Sequence, residues 1–356
     1  MCVAFAVKIG YNVDLFAGSV FARCRYACNL EEVAGQASVP ITMMVFVNVL
    51  LPVLLIAGSG YLLAKLTGIK SDGLVTLVFY ILSPCLIFYS LYSQQVSESA
   101  ISSLVIFVVS LHTILFIIGA VLFRLFHWDD DSRVAGTLAL FLNNGGNYGL
   151  PIVLFAFGDV GFQFAVLYVV VHAAMQAVLG VGLASWKKGM SIWKLLRNVV
   201  SVPWFYALIA ALVLRSTGTI LPDSAIKPIE MLAQATIPVM LLLLGVQLAQ
   251  VKITSVLPRA TAVAGLKLLV PPLISWGLTA VLGIQGLLRA VLIIEGSTPT
   301  AVNALLLALQ YDRRSDLTAS ILLLTTVGNL VTMMNRMVCR ETTKITRLEI
   351  ALSETC

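Results

Sequence analysis

Charge is scarce in this chain: only 11% of its 356 residues are Asp, Glu, Lys or Arg, against about 25% in an ordinary soluble domain. Histidine is scarcer still, at three residues, and the six cysteines (Cys2, Cys24, Cys28, Cys85, Cys339, Cys356) show no CxxC or CxxH spacing. Neither a metal centre nor a disulfide framework is supported. The sequence contains no HExxH, no GxSxG, no pair of intramembrane aspartates and no Walker phosphate loop, so the usual signatures of an intramembrane protease, a serine hydrolase and an ATP-driven pump are missing. No cofactor is expected. What the chain has in abundance is apolar surface, with 59% hydrophobic residues and a mean hydropathy of +0.98. These values exclude a soluble enzyme, a nucleic-acid module and a disordered protein, and describe a polytopic membrane protein whose surroundings are the lipid bilayer.

A helix needs about 20 mostly apolar residues to cross a hydrocarbon core of about 30 Å. Ten such runs are predicted, near 41–64, 72–92, 101–126, 135–157, 160–185, 199–216, 229–250, 256–282, 287–310 and 316–334. The loops between them are short and carry turn residues and charges, as in Thr67-Gly68-Ile69-Lys70 and Trp128-Asp129-Asp130-Asp131. The three aspartates read as a solvated loop. The net charge of +6 concerns topology and not a polyanionic partner, because basic residues cluster on one side of the spans. Lys65, Lys70, Arg124, Arg133, Lys187, Lys188, Lys194, Arg197, Lys252, Arg259, Arg313 and Arg314 fall on one face; only Arg215, Lys227 and Arg289 fall in the opposite loops. The first face, including the basic loop 186–198, is therefore expected in the cytoplasm. Basic residues before the first span and after the last run against this pattern. Residues 1–40 form an atypical leader without signal-peptide organisation, and 335–356 form a polar tail.

Ten spans divide into a first five-helix repeat, 41–185, and a second, 199–334. Proline interrupts the second span at Pro84 and the seventh at Pro238, where packing or a kink suffices as the reason. The fourth contains Asn143-Asn144-Gly145-Gly146-Asn147-Tyr148-Gly149-Leu150-Pro151, and the ninth contains Glu295-Gly296-Ser297-Thr298-Pro299-Thr300-Ala301-Val302-Asn303. These are ordinal partners, and an odd number of spans per half orients the halves oppositely, as in many secondary transporters. Glycine costs about 1 kcal/mol and proline about 3 kcal/mol in a helix interior, so both spans should break. Broken backbone is tolerated at membrane depth only where protein or a wet cavity satisfies the freed amides. Half-helix N-termini carry roughly half a positive charge each and make an anion site without a fixed cation. The amides of Asn143, Asn144, Asn147 and Asn303 and the hydroxyls of Ser297 and Thr298 would supply neutral donors and acceptors for a carboxylate.

These motifs, with Phe79-Tyr80-Ile81-Leu82-Ser83-Pro84 in the second span, resemble the auxin efflux carrier family, which includes plant PIN-type carriers and bacterial malate and malonate permeases. The likeness covers about 41–334. It implies an all-α membrane protein of ten transmembrane helices, built as a five-plus-five inverted repeat with two broken crossover helices, similar to bile-acid symporters and sodium/proton antiporters. It further implies an often dimeric scaffold of spans 1, 2, 6 and 7 beside a transport domain. Carried over, Pro151 and Pro299 are the crossing prolines, with Gly145, Gly146 and Gly149 at the break and Asn147 and Asn303 as candidate ligands. The motif looks more bacterial than plant. The expected function is a permease of the bacterial inner membrane for a small organic anion such as malate or malonate. An auxin-like monocarboxylate carrier and an anion channel or sensor on the same fold are the alternatives.

His112, His172, Lys267 and Glu295 fall inside apolar runs, where a charge costs about 2.5–3.5 kcal/mol unless paired or wetted. Lys267 and Glu295 are expected to pair, either as a neutral structural unit or as a titrating one that couples protons to transport. Both histidines read as packing residues, although His172 and Gln176 share one helical stripe.

Overall fold

The computed structural model describes residues 46–93, 98–185, 193, 203–251, 257–330 and 332. The leader 1–40, the basic loop 186–198 apart from Trp193, and the tail 335–356 lie outside the described residues. The described chain is helical, with a single isolated β-bridge. Helix α1 spans Leu51–Thr67 behind a wide turn at Phe46–Leu50, and α2 runs through Asp72–Leu77, a π turn at Val78–Leu82 and Ser83–Ser93. Then come α3 (Glu98–Leu125), α4 (Asp130–Phe141) and α5 (Leu150–Met175), the last continued through Gln176–Gly180 and Val181–Ser185. They are followed by α6 (Pro203–Ser216), α7 (Asp223–Gln250), α8 (Leu257–Val281), α9 (Gly286–Gly296) and α10 (Val302–Gln310), and by α11 over 315–330.

Six stretches among the described residues are long and apolar enough to cross a membrane. One of them, Gly145–Ser185, has 41 residues, about 60 Å of helix at 1.5 Å per residue. That is twice the thickness of a hydrocarbon core, and the stretch breaks within α5 at Gly158, whose φ of 62° and ψ of −163° suit glycine alone. Large apolar side chains such as Leu55, Leu66, Leu273 and Trp276 are exposed, whereas Lys267, Glu295, His112 and Asn143 are buried. This inverted distribution is what lipid surroundings demand.

Two sets of helices pack mainly within themselves. In the first, α1 lies along α7, and α2 packs on both α6 and α7. The closest approach is between α1 and α7, where the missing side chains of Gly60 and Gly245 let backbone meet backbone. A Cβ on Gly60 would overlap the Leu242 carbonyl, and one on Gly245 would overlap the Ala57 carbonyl and the Tyr61 amide. Gly245→Val should therefore cost at least about 3 kcal/mol, the upper end of overpacking, because the obstacle is backbone that cannot change rotamer. The measurement is the yield of monodisperse protein in detergent, which should fall sharply for Gly245→Val and little for Gly58→Val, whose surroundings are open. Prolines of α2 and α7 are accommodated nearby: the π turn precedes Pro84, and Thr236 Oγ1 donates to Leu82 O across the helices at 3.0 Å.

In the second set, α3, α4, α8 and α11 close around Phe123, Ala135, Ala139, Ala260, Val263, Leu317 and Ile321, while α5 packs on α3 and α9. The three aspartates expected in a solvated loop do more than face water. Asp129 caps α4 by accepting from the Ser132 amide, and Asp130 and Asp131 form the first turn of the helix. Each pairs with a different arginine: Asp129 with Arg259 at the start of α8, Asp130 with Arg133, and Asp131 with the buried Arg313 after α10. Arg313 also donates twice to Ala184 O at the end of the fifth span. Partial burial works against ionisation of Asp129, but hydrogen bonds from Ser132 and the Arg259 guanidinium bring its carboxyl below the usual range. One end of this helix set is thus laced together by charge-assisted bonds.

Candidate substrate site at the helix crossing

α4 ends at Phe141 because Leu142 turns extended, with ψ at 111°. The next residues run antiparallel to the stretch that follows α9. Asn143 and Thr300 form the bridge, Asn144 N donates to Pro299 O at 2.9 Å, and Ala301 N donates to Leu142 O at 2.9 Å. Beyond this crossing the chain re-enters helix through a wide turn at Gly145–Gly149 on one side and through α10 on the other, neither start having a side-chain cap. The first N–H groups of these helices are left to other partners.

Neighbouring helices satisfy much of the freed backbone. Lys267 Nζ from α8 donates to Leu140 O at 2.8 Å and Leu142 O at 3.4 Å, and also to Asn143 Oδ1. Thr300 Oγ1 donates to Ala139 O at 2.9 Å, and Asn329 Nδ2 from α11 donates to Ser297 O at 2.7 Å. A cation at the C-terminal end of α4 also suits its dipole. The expected Lys267–Glu295 pair is replaced by this arrangement: the ammonium serves α4, and the Glu295 carboxyl has no hydrogen-bond partner among the described residues. The physical reason is that the ends of α4 offer several acceptors to one ammonium, whereas the carboxyl points into the glycine turn.

Beside the crossing lies a cavity of about 730 Å³. Its polar lining comprises Asn143, Asn144, Asn147, His172, Gln176, Gln247 and Asn303, with Gly146, and its apolar lining includes Phe79, Tyr80, Trp204, Met240 and Leu243. Among the described residues no Asp, Glu, Lys or Arg lines it. Asn144 Nδ2 and Gln247 Oε1 are buried without hydrogen-bond partners, and Asn303 Nδ2 donates to Gln176 Oε1 at 3.1 Å.

The sequence-based candidates separate here by role. Asn144, Asn147 and Asn303 line the cavity, as does Gly146. Asn143 borders it, but its side chain is committed: Nδ2 donates to Tyr168 OH, Glu295 O and Gly296 O at 3.1, 3.3 and 3.1 Å, and Oδ1 accepts from Lys267. Ser297 and Thr298 do not line the cavity; their hydroxyls donate back to Ile293 O and Glu295 O within α9, the ordinary fate of a hydroxyl in the last turn of a helix. Pro299 sits in the crossing, whereas Pro151 stands in the first turn of α5. Gly145 and Gly149 make room for the Glu295 carboxyl. His172, read as packing, lines the cavity, and its Nε2 accepts from Asn143 N at 3.4 Å. His112 packs against it, with ring centroids 4.4 Å apart and ring planes inclined at 37°. Gln247 had one signal in the sequence, an amide inside the apolar run of the seventh span.

The profile of the family described as membrane transport protein matches residues 45–335, which contain the crossing and both of its glycine- and proline-rich segments. The chain belongs to that family, the auxin efflux carriers. The membrane transport protein is also similar to an uncharacterized transporter of Methanothermobacter thermautotrophicus, at 29% identity over 80% of this chain and 94% of the relative. It is 28% identical to an uncharacterized transporter of Methanocaldococcus jannaschii over 81% of this chain and 96% of that one. Family and apolar helices together make it an integral membrane protein.

Proposed function

We propose that this protein is a secondary transporter that moves a small organic anion by alternating access around the crossing. The observation that carries the reading is the 730 Å³ cavity beside two broken helices, walled by neutral amides and by helix starts without side-chain caps. Neutral donors and helix N-termini bind a carboxylate while leaving it free to depart, as transport requires. The packing of α1, α2, α6 and α7 mainly on one another supports a scaffold against which the rest shifts, in what would be a ten-span, five-plus-five inverted arrangement. A homodimer through the scaffold, residence in the cytoplasmic membrane of a prokaryotic cell and a cytoplasmic loop 186–198 belong to the same proposal.

A dicarboxylate such as malate or malonate is the leading substrate. The aromatic lining of Phe79, Tyr80 and Trp204 favours a second reading, an indole-type monocarboxylate. Counterflow in proteoliposomes separates these. Vesicles loaded with unlabelled malate, malonate or indole-3-acetate should transiently accumulate the same labelled anion when it is one the carrier moves. Leakage without saturation or counterflow would mean a channel.

A further inference from the structure

We propose that Glu295 is the proton-binding group of this transporter, its carboxyl taking up a proton with the anion on one side of the membrane and releasing it on the other. The proposal rests on the transporter reading above and adds the coupling ion. Glu295 is 0% exposed and stands at the end of α9, where its backbone carbonyl accepts from Asn143 Nδ2 and Thr298 Oγ1. Neither carboxyl oxygen has a hydrogen-bond partner among the described residues. Both Gly145 and Gly149 face this carboxyl so closely that a Cβ on either would strike its Oε2. The carboxyl is therefore packed against the turn that starts the helix after the crossing.

The elements packed on α9 are α3, α5, α8 and the Gly145–Gly149 turn. The titratable groups they bring toward this region are His112 on α3, Tyr168 and His172 on α5, Lys267 on α8 and Tyr148 in the turn. Lys267 is committed to Leu140 O, Leu142 O and Asn143 Oδ1, so no ion pair neutralises Glu295 among the described residues. A dry, unpaired carboxylate is far more costly than the uncharged acid, so this packing favours the acid. The carboxylate form needs water or new donors, which reach it only when the Gly145–Gly149 turn moves away. That turn also carries Gly146 and Asn147 of the cavity wall. Proton occupancy and the shape of the anion site are thereby linked through five residues. The step itself is balanced: a carboxylate takes one proton from water on one side and returns it to water on the other, with no other bond changed.

The test uses the full chain in proteoliposomes with labelled malate as probe, malonate and indole-3-acetate being run alongside. A pH gradient, acid outside, should drive anion uptake above equilibrium in the parent protein. Glu295→Gln, an uncharged isostere of the acid, should lose pH-driven accumulation by at least tenfold while homo-exchange of the anion persists within a few-fold, and Glu295→Asp should retain part of the coupling. PH-driven accumulation that survives in Glu295→Gln overturns the proposal and leaves the transporter reading intact. If none of the three anions moves, that reading fails on its own, and infrared difference spectra of the protein in lipid still decide the proton site. A protonated-carboxyl band that titrates in the parent and vanishes in Glu295→Gln supports the site, and an unchanged band overturns it.

Discussion

Asn143→Ala should lower the melting temperature of the detergent-purified protein by on the order of 10 °C. The side chain ties the segment after α4 to three helices at once: its Oδ1 accepts from Lys267 of α8, and its Nδ2 donates to Tyr168 of α5 and to the last carbonyls of α9. Truncation leaves the Lys267 ammonium, 1% exposed, with one acceptor fewer, and strips the Gly296 carbonyl of a donor. Each buried hydrogen-bonding group left without its partner costs about 1–3 kcal/mol, and a chain of 356 residues shifts by about 2 °C or slightly less for each kcal/mol. Scanning fluorimetry of the parent, Asn143→Ala and Asn143→Asp is the check. Asn143→Asp keeps an acceptor for Lys267 and should melt closer to the parent. An alanine variant as stable as the parent would show that the crossing does not depend on this amide.

On the proposed anion-transport reading, Asn147→Leu and Asn303→Leu should each weaken anion binding roughly 10- to 150-fold. Both line the cavity without being committed to the crossing as Asn143 is. Loss of one hydrogen bond to a charged group costs about 1.5–3 kcal/mol, and each 1.4 kcal/mol is a factor of ten. Ser297→Ala serves as the contrast, because its hydroxyl is bonded to Ile293 O inside α9 and not to the cavity, so affinity should change less than threefold. Titration calorimetry with malate, or with whichever anion shows counterflow, reads both. Equal affinity in the Asn147 and Asn303 variants together with a large loss in Ser297→Ala would move the site to the other face of α9.

Much of this protein was legible from residue types alone. The shortage of charge and the spacing of apolar runs dictate membrane helices, since each run must bury its own backbone hydrogen bonds in lipid. Asn143 to Pro151 and Glu295 to Asn303 announce broken helices because glycine, proline and asparagine are costly in a continuous one. The matching ordinal positions of these segments, together with the family motif in the second span, pointed to a transporter, and the family match bears that out.

Tertiary structure alone decided which polar groups face which partner. Ser297 and Asn303 are six residues apart in the same break, yet one turns back on its own helix and the other meets Gln176 from the fifth span. Lys267 and Glu295 looked like a pair because opposite charges in an apolar chain suggest one. In the folded protein the ammonium finds the carbonyls at the end of α4, while the carboxyl is packed against glycines of the turn after it. Asn143, Asn144 and Asn147 are equivalent as letters, but the first is a clamp and the other two face the cavity. The sequence by itself determined that the helices break and where, because backbone cost is local to the residues that carry it. Which side chain mends the break and which is left for a ligand depends on helices more than a hundred residues away, and only their packing could assign it.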